Sequence, residues 1–316
     1  MTHATGLLTG AGGRRICWQS WSPDGEPRAL VVIVHGAGEH SDRYVHVADR
    51  LCADGYAVYA LDHRGHGRSE GPRALIDRLD NAVADLDQLV VQASAEHPAA
   101  PVYMLGHSMG GTVALRYALL NEPDDSRAAR SGEAGSRAGG RRERLAGLIL
   151  SGPLAALEAT PPPLRVIGNV LSMIAPRTPL IAIDPSLVSR DPAVVSAYVS
   201  DPLVHHGKLP ARTAAELAAA IDTFPDAVSA ITVPTLILYG TADRLCPPAG
   251  SQMLGDRIGA ADKTVKAYDG LFHEILNEPE RDAVLADIGG WLAERTATGT
   301  EATGGSVTSP AGSSTS

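Results

Sequence analysis

Six strand-length apolar runs recur along this chain, each with Gly, Pro or Asp close by: ALVVIV (29–34), AVYALD (57–62), VYMLG (102–106), LAGLILSG (145–152), TLILYG (235–240) and KTVKAYDG (263–270). Runs so nearly continuous in apolar side chains suit parallel strands buried on both faces. Between them lie segments with apolar residues at helical spacing that end at Gly or Pro, such as 44–55 and 82–97. The alternation predicts an α/β fold, with a mostly parallel central sheet and helices on both faces. RRICWQSWSP (14–23) alternates polar and apolar residues instead, the pattern of an antiparallel edge strand.

Three segments break this rhythm. Residues 121–144 carry no apolar side chain larger than Ala apart from Pro123, and read as a solvated, disordered insertion. The low-complexity tail 296–316 reads the same way. The third segment, 153–231, is apolar, proline-rich and helical, and it separates two strands of the sheet. It has the look of an inserted cap on a core built from 1–152 and 232–295.

Composition narrows the function classes. A formal net charge of -9 offers nucleic acid no basic footprint. Cys17, Cys52 and Cys246 are scattered and form no CxxC pair, which argues against a disulfide framework and a structural zinc site. No signal peptide opens the chain and no run approaches a membrane span, so a cytoplasmic location is expected.

The chemistry starts at GHSMG (106–110). A GxSxG pentapeptide alone means little, but here it follows a strand and opens a helix, as a nucleophile elbow requires. Glycines on both sides let strand and helix pass closely, and Ser108 is left exposed at the carboxyl end of the sheet. A serine hydroxyl needs a base, and the base needs an orienting acid. On this architecture the acid and then the histidine follow the serine, on loops after later strands. Asp243, just past the strand 235–240, and His273, after the last strand, fit that order. The other ten histidines precede Asp243. Asp62 and Asp269 are rival acids; the first follows an early strand and the second lies close to His273. A second oxyanion donor must come from the loop HGAGEHS (35–41), and the Ala37 N–H is assigned beside that of Met109.

With these residues placed, HGAGEHSDRY (35–44), LDHRGHGRSEG (61–71), GHSMGG (106–111), SDPLVHHGKL (200–209), YGTADRLCPP (239–248) and LFHEILNEPER (271–281) resemble the monoacylglycerol lipases. These belong to the α/β-hydrolase superfamily, within its serine aminopeptidase S33 (hydrolase-4-like) group. The resemblance runs from about 5 to 295 and skips the 121–144 insertion, a departure from the family's compact pattern. It implies hydrolysis of a monoacylglycerol to glycerol and fatty acid, with no metal or cofactor. By position, it makes Ser108 nucleophile, Asp243 acid, His273 base, and Ala37 and Met109 oxyanion donors. A lysophospholipase or short-chain carboxylesterase on the same fold is the alternative, and a non-catalytic binding protein a more distant one. Epoxide hydrolases and dehalogenases carry Asp where this chain has Ser108.

Within the cap, Leu164, Ile167, Leu171 and Ile174 share one helical face, and Val166, Val170 and Met173 widen it. Two readings stand: a helix packed down on the sheet, or a lid that lines an acyl tunnel and touches a membrane. The lid reading makes Ile167 and Leu171 substrate contacts, with peripheral membrane association through the cap. Glu39 is read as a loop organiser or glycerol-side contact, like its neighbour His40. Cys246 is placed near the catalytic acid, and His205 joins the substrate contacts from the cap.

Overall fold

A computed structural model describes residues 1–121, 145–157 and 162–297, with the side chains of 162–166 outside that description. The expected insertion (Asn121 apart) and the tail beyond Ala297 lie outside the described residues. One sheet of eight strands organises the molecule: β1 (Thr2–Thr9), β2 (Arg15–Ser22), β3 (Leu30–Val34), β4 (Ala57–Leu61), β5 (Val102–His107), β6 (Gly147–Ser151), β9 (Thr235–Gly240) and β10 (Lys263–Tyr268). The two intervening strands, β7 (Pro179–Ile181) and β8 (Leu209–Pro210), pair separately. Spatial order in the sheet is β1-β2-β4-β3-β5-β6-β9-β10. The β1–β2 and β2–β4 pairs are antiparallel, and all others are parallel.

The apolar runs fill both faces, as their continuity demands. Leu30, Val32 and Val34 of β3 join one core, while Val31 and Ile33 join the other. The first core is closed by α2 (Leu79–Glu96), α3 (Met109–Asn121) and α6 (Ala211–Ala227); the second by α1 (Val45–Ala53) and α8 (Arg281–Ala297). Each fully buried Leu, Ile or Val adds about 1.5–3 kcal/mol. Helices α4 (Pro162–Ile174) and α5 (Pro192–Ser200) lie between β6 and β9, and α7 (Pro248–Arg257) follows β9.

Two strands differ from expectation. β2 is antiparallel but not an edge, because β1 pairs with it along its whole length, from Thr2↔Ser22 to Thr9↔Arg15. THATGLLT is mostly exposed, so it lacks the apolar alternation that marks a strand. β10 is the other edge, and most of its side chains meet solvent rather than a core.

Chain order explains where a site can form. β4 lies on one side of β3 and β5 on the other, so the connections after β3 and β5 diverge at the carboxyl end of the sheet. Such a switch point opens a crevice. The loops after β9 and β10 end at the same edge. Among the described residues no helix is long and apolar enough to cross a membrane.

Candidate active site

The turn from β5 into α3 holds Ser108 at φ 55°, in the left-handed region that a side chain rarely occupies. Such a conformation costs of order 1–3 kcal/mol and persists only where the surroundings impose it. Here the Ser108 carbonyl accepts from the N–H groups of Gly111 (2.9 Å) and Leu154 (3.0 Å), while its own N–H donates to Ser151 O (3.2 Å). Gly110 is obligatory: a Cβ there would fall 1.9 Å from Val34 O. At Gly106 it would fall 2.7 Å from Gly110 O. Strand and helix touch backbone to backbone, and the turn between them pushes the serine outward.

Asp243 and His273, both buried, meet at the same rim. Asp243 Oδ2 accepts a 2.8 Å hydrogen bond from His273 Nδ1, while Oδ1 accepts from the N–H groups of Leu245 and Cys246, at 2.9 Å each. With Nδ1 donating, Nε2 is the nitrogen free to take a proton. Burial disfavours the imidazolium, but the Cys246 sulfur and the Asp243 carboxylate outweigh it and raise His273 well above the ordinary histidine value. Cys246 sits beside both partners: its Sγ is 3.7 Å from Ser108 Oγ and 4.0 Å from His273 Nε2. Among the described residues Ser108 and His273 form no direct hydrogen bond. Catalytic hydrogen bonds commonly tighten only once substrate is bound.

Ala37 follows β3 and lines the same cavity as Ser108, while Met109 is the first residue of α3. Among the described residues neither N–H is engaged by another group. The helix N-terminus behind Met109 favours negative charge.

A buried charge network floors the site. Glu39 Oε1 accepts from the Gly36 N–H (2.5 Å) and the Tyr44 hydroxyl (2.7 Å), and Oε2 accepts from Arg43 (2.7 Å). Arg43 reaches on to both oxygens of Glu274 at 2.7 Å and stacks 4.8 Å from the Tyr198 ring centre. Burial works against the Glu39 carboxylate, yet Arg43 beside it holds its pKa down at about 2. One guanidinium thus ties the loop bearing Ala37 to the residue after His273.

The cavity, about 180 Å3, runs from Gly36, Ala37, Ser108 and His273 to apolar walls formed by Leu154, Ile181, Ile183, Val188, Leu209 and Leu217. Glu39, Glu274 and Cys246 also line it. Ile167 and Leu171 do not. Ile167 is 53% exposed, and so, more strongly, are Met173 and Ile174, because α4 rests on α6 with this face turned outward. The chain between β6 and β9 supplies this apolar wall, from Leu154, 181–188 and 209–217 rather than from α4. His205 does not line the cavity either; its N–H donates to Gly38 O at 2.7 Å, on the loop that carries Ala37. His40 bridges to Asp201 at 2.8 Å. Sequence reading overlooked Tyr198, Arg43 and Glu274; the last two are partners 231 positions apart, and no local pattern links them.

A family model described as serine aminopeptidase, S33 matches residues 25–280. The chain is 42% identical over 292 residues to a monoacylglycerol lipase of Mycolicibacterium smegmatis, covering 92% of this chain and 97% of that one. To a human monoglyceride lipase it is 36% identical over 295 residues, covering 92% and 91%. Its fold superposes on a crystal structure of a Paleococcus ferrophilus monoacylglycerol lipase with a TM-score of 0.72 and 28% identity, over 93% of this chain and 100% of that one.

Proposed function

Since this chain belongs to the monoacylglycerol lipase group of the serine aminopeptidase S33 family, we propose that it hydrolyses monoacylglycerols to glycerol and fatty acid through an acyl-enzyme on Ser108. The observation that carries this reading is the meeting of Ser108 with the Asp243–His273 pair at the mouth of an apolar cavity. His273 Nε2 takes the hydroxyl proton as Ser108 Oγ attacks the ester carbonyl, and Asp243 stabilises the imidazolium. The N–H groups of Ala37 and Met109 receive the oxyanion. His273 then protonates the departing glycerol oxygen, and a water activated by the same histidine releases the fatty acid. The apolar walls suit an acyl chain, and the polar floor at Glu39 and Glu274 suits a glycerol. In this reading 153–231 forms the cap and 1–152 with 232–295 the catalytic core.

A panel of monoacylglycerols, diacylglycerols, lysophospholipids and short-chain esters separates the candidate substrates. Monoacylglycerols should give the highest kcat/KM. Equal or greater turnover of a lysophospholipid would replace this assignment with the lysophospholipase alternative.

The outward face of α4 supports a further element of this reading, contact with a lipid surface. Val170, Met173 and Ile174 are 43%, 70% and 74% exposed, and Ile181, which lines the cavity, is itself 45% exposed. Burying two large side chains in acyl chains contributes about 1.5–3 kcal/mol each. Met173→Ser/Ile174→Ser should therefore weaken co-sedimentation with phosphatidylcholine vesicles at least tenfold. A wild-type protein that stays in the supernatant would remove the membrane from the proposal.

A further inference from the structure

The peptide that presents the Ala37 N–H is held from behind by a group with no assigned role. His35, the first residue after β3, has no exposed surface, and its two ring nitrogens have opposite duties. Nδ1 lies 2.8 Å from the Gly36 carbonyl, which can only accept, so Nδ1 carries the proton. Nε2 receives the backbone N–H of His63 at 2.9 Å, so it must be bare. Each bond fixes the same neutral tautomer. A protonated ring would set Nε2–H against the His63 N–H, and burial keeps His35 below the ordinary histidine value in any case. The rings of His63 and His66, at 4.5 and 5.5 Å between centroids, wedge His35 in place.

The Gly36 carbonyl and the Ala37 N–H belong to one planar peptide, and no cis bond occurs among the described residues. In a trans peptide the two point in opposite directions, so holding the oxygen aims the nitrogen. Gly36 lies against the nucleophile, for a Cβ there would come within 3.1 Å of Ser108 Cβ. The Gly36 N–H, on the next peptide back, is pinned to Glu39. We infer that His35 is a positioning residue for the oxyanion hole: its Nδ1–H grips the Gly36 carbonyl and thereby directs the Ala37 N–H at the carbonyl oxygen of a substrate bound to Ser108. This rests on the acyl-enzyme reading above.

Two variants separate positioning from simple packing. His35→Phe keeps the ring volume and loses the donor; His35→Asn places an amide nitrogen where Nδ1 stood. Both are assayed beside wild type and Ser108→Ala on a p-nitrophenyl alkanoate and its thiono (C=S) counterpart, whose sulfur accepts hydrogen bonds weakly. Removing an oxyanion donor outright costs about 100- to 1,000-fold in kcat. His35→Phe, which only misaims one, should lose at least tenfold in kcat with little change in KM, and its oxo-to-thiono rate ratio should fall. His35→Asn should stay within about threefold of wild type with an unchanged ratio, an expectation that holds even if the Phe variant fails to fold. A folded Asn variant that loses tenfold in kcat, or a Phe variant whose kcat falls while the ratio holds, overturns the inference. Hydrolysis surviving in Ser108→Ala would instead bring down the acyl-enzyme reading itself.

Discussion

Ser108→Ala is expected to lower kcat for monoacylglycerol hydrolysis by about a millionfold, the scale seen when a triad serine is removed from other serine hydrolases. The loss should come without a loss of fold. The only polar contact of the hydroxyl among the described residues is the Cys246 sulfur at 3.7 Å, so its removal strands no buried donor. Alanine keeps the same Cβ at φ 55°, and the strain of the elbow is carried over unchanged. Thermal unfolding should therefore shift by no more than about 0.5 kcal/mol. The cavity is also untouched, so the variant should still bind a non-hydrolysable monoalkyl glycerol ether with near wild-type affinity. Activity within tenfold of wild type in a preparation free of contaminating esterase would exclude Ser108 as the nucleophile.

What the sequence disclosed and what it hid divide along a physical line. The central strands were legible because burial on both faces imposes unbroken apolar runs such as LVVIV, where every residue is buried. The elbow was legible because close contact admits only glycine at 106, against the backbone of α3, and at 110, against the end of β3, which leaves a local Gly-x-Ser-x-Gly pattern between a strand and a helix. The chain order of Ser108, Asp243 and His273 follows from the sheet's connectivity, and the structure brings the three to one rim. β1 stayed hidden because an exposed edge strand needs only backbone pairing, which leaves no side-chain pattern. The α4 stripe was visible but ambiguous: an amphipathic face records that something apolar is expected, not whether it is a core, a ligand or a lipid. The structure leaves that face outward and takes the cavity wall from Ile181, Ile183 and Leu209 instead. Arg43 with Glu39 and Glu274 could not have been read, since an ion-pair network across distant loops has no period.

Asp243→Asn is expected to reduce kcat about 10,000-fold at neutral pH, and the local hydrogen bonds specify how. Asp243 Oδ1 accepts two backbone N–H groups, from Leu245 and Cys246. An asparagine must keep its carbonyl oxygen there, which turns its NH2 toward His273 Nδ1. That nitrogen then has to accept, the ring proton moves to Nε2, and the base can no longer take the serine's proton. The pH dependence carries a second, independent signature. In the proposed mechanism His273 acts as a base only when neutral, and its pKa is raised above the ordinary 6.5, so the acid limb of wild-type kcat/KM should lie above pH 6.5. Stability has the opposite sign: the raised pKa adds stability below pH 6.5 that is lost as pH rises through the folded-state value. Without the carboxylate one of the causes of that rise is gone, so in Asp243→Asn the residual acid limb should move to lower pH and the matching slope in Tm should flatten. An unshifted limb would mean that another group governs the profile, and a kcat near wild type would return the orienting role to a rival such as Asp269.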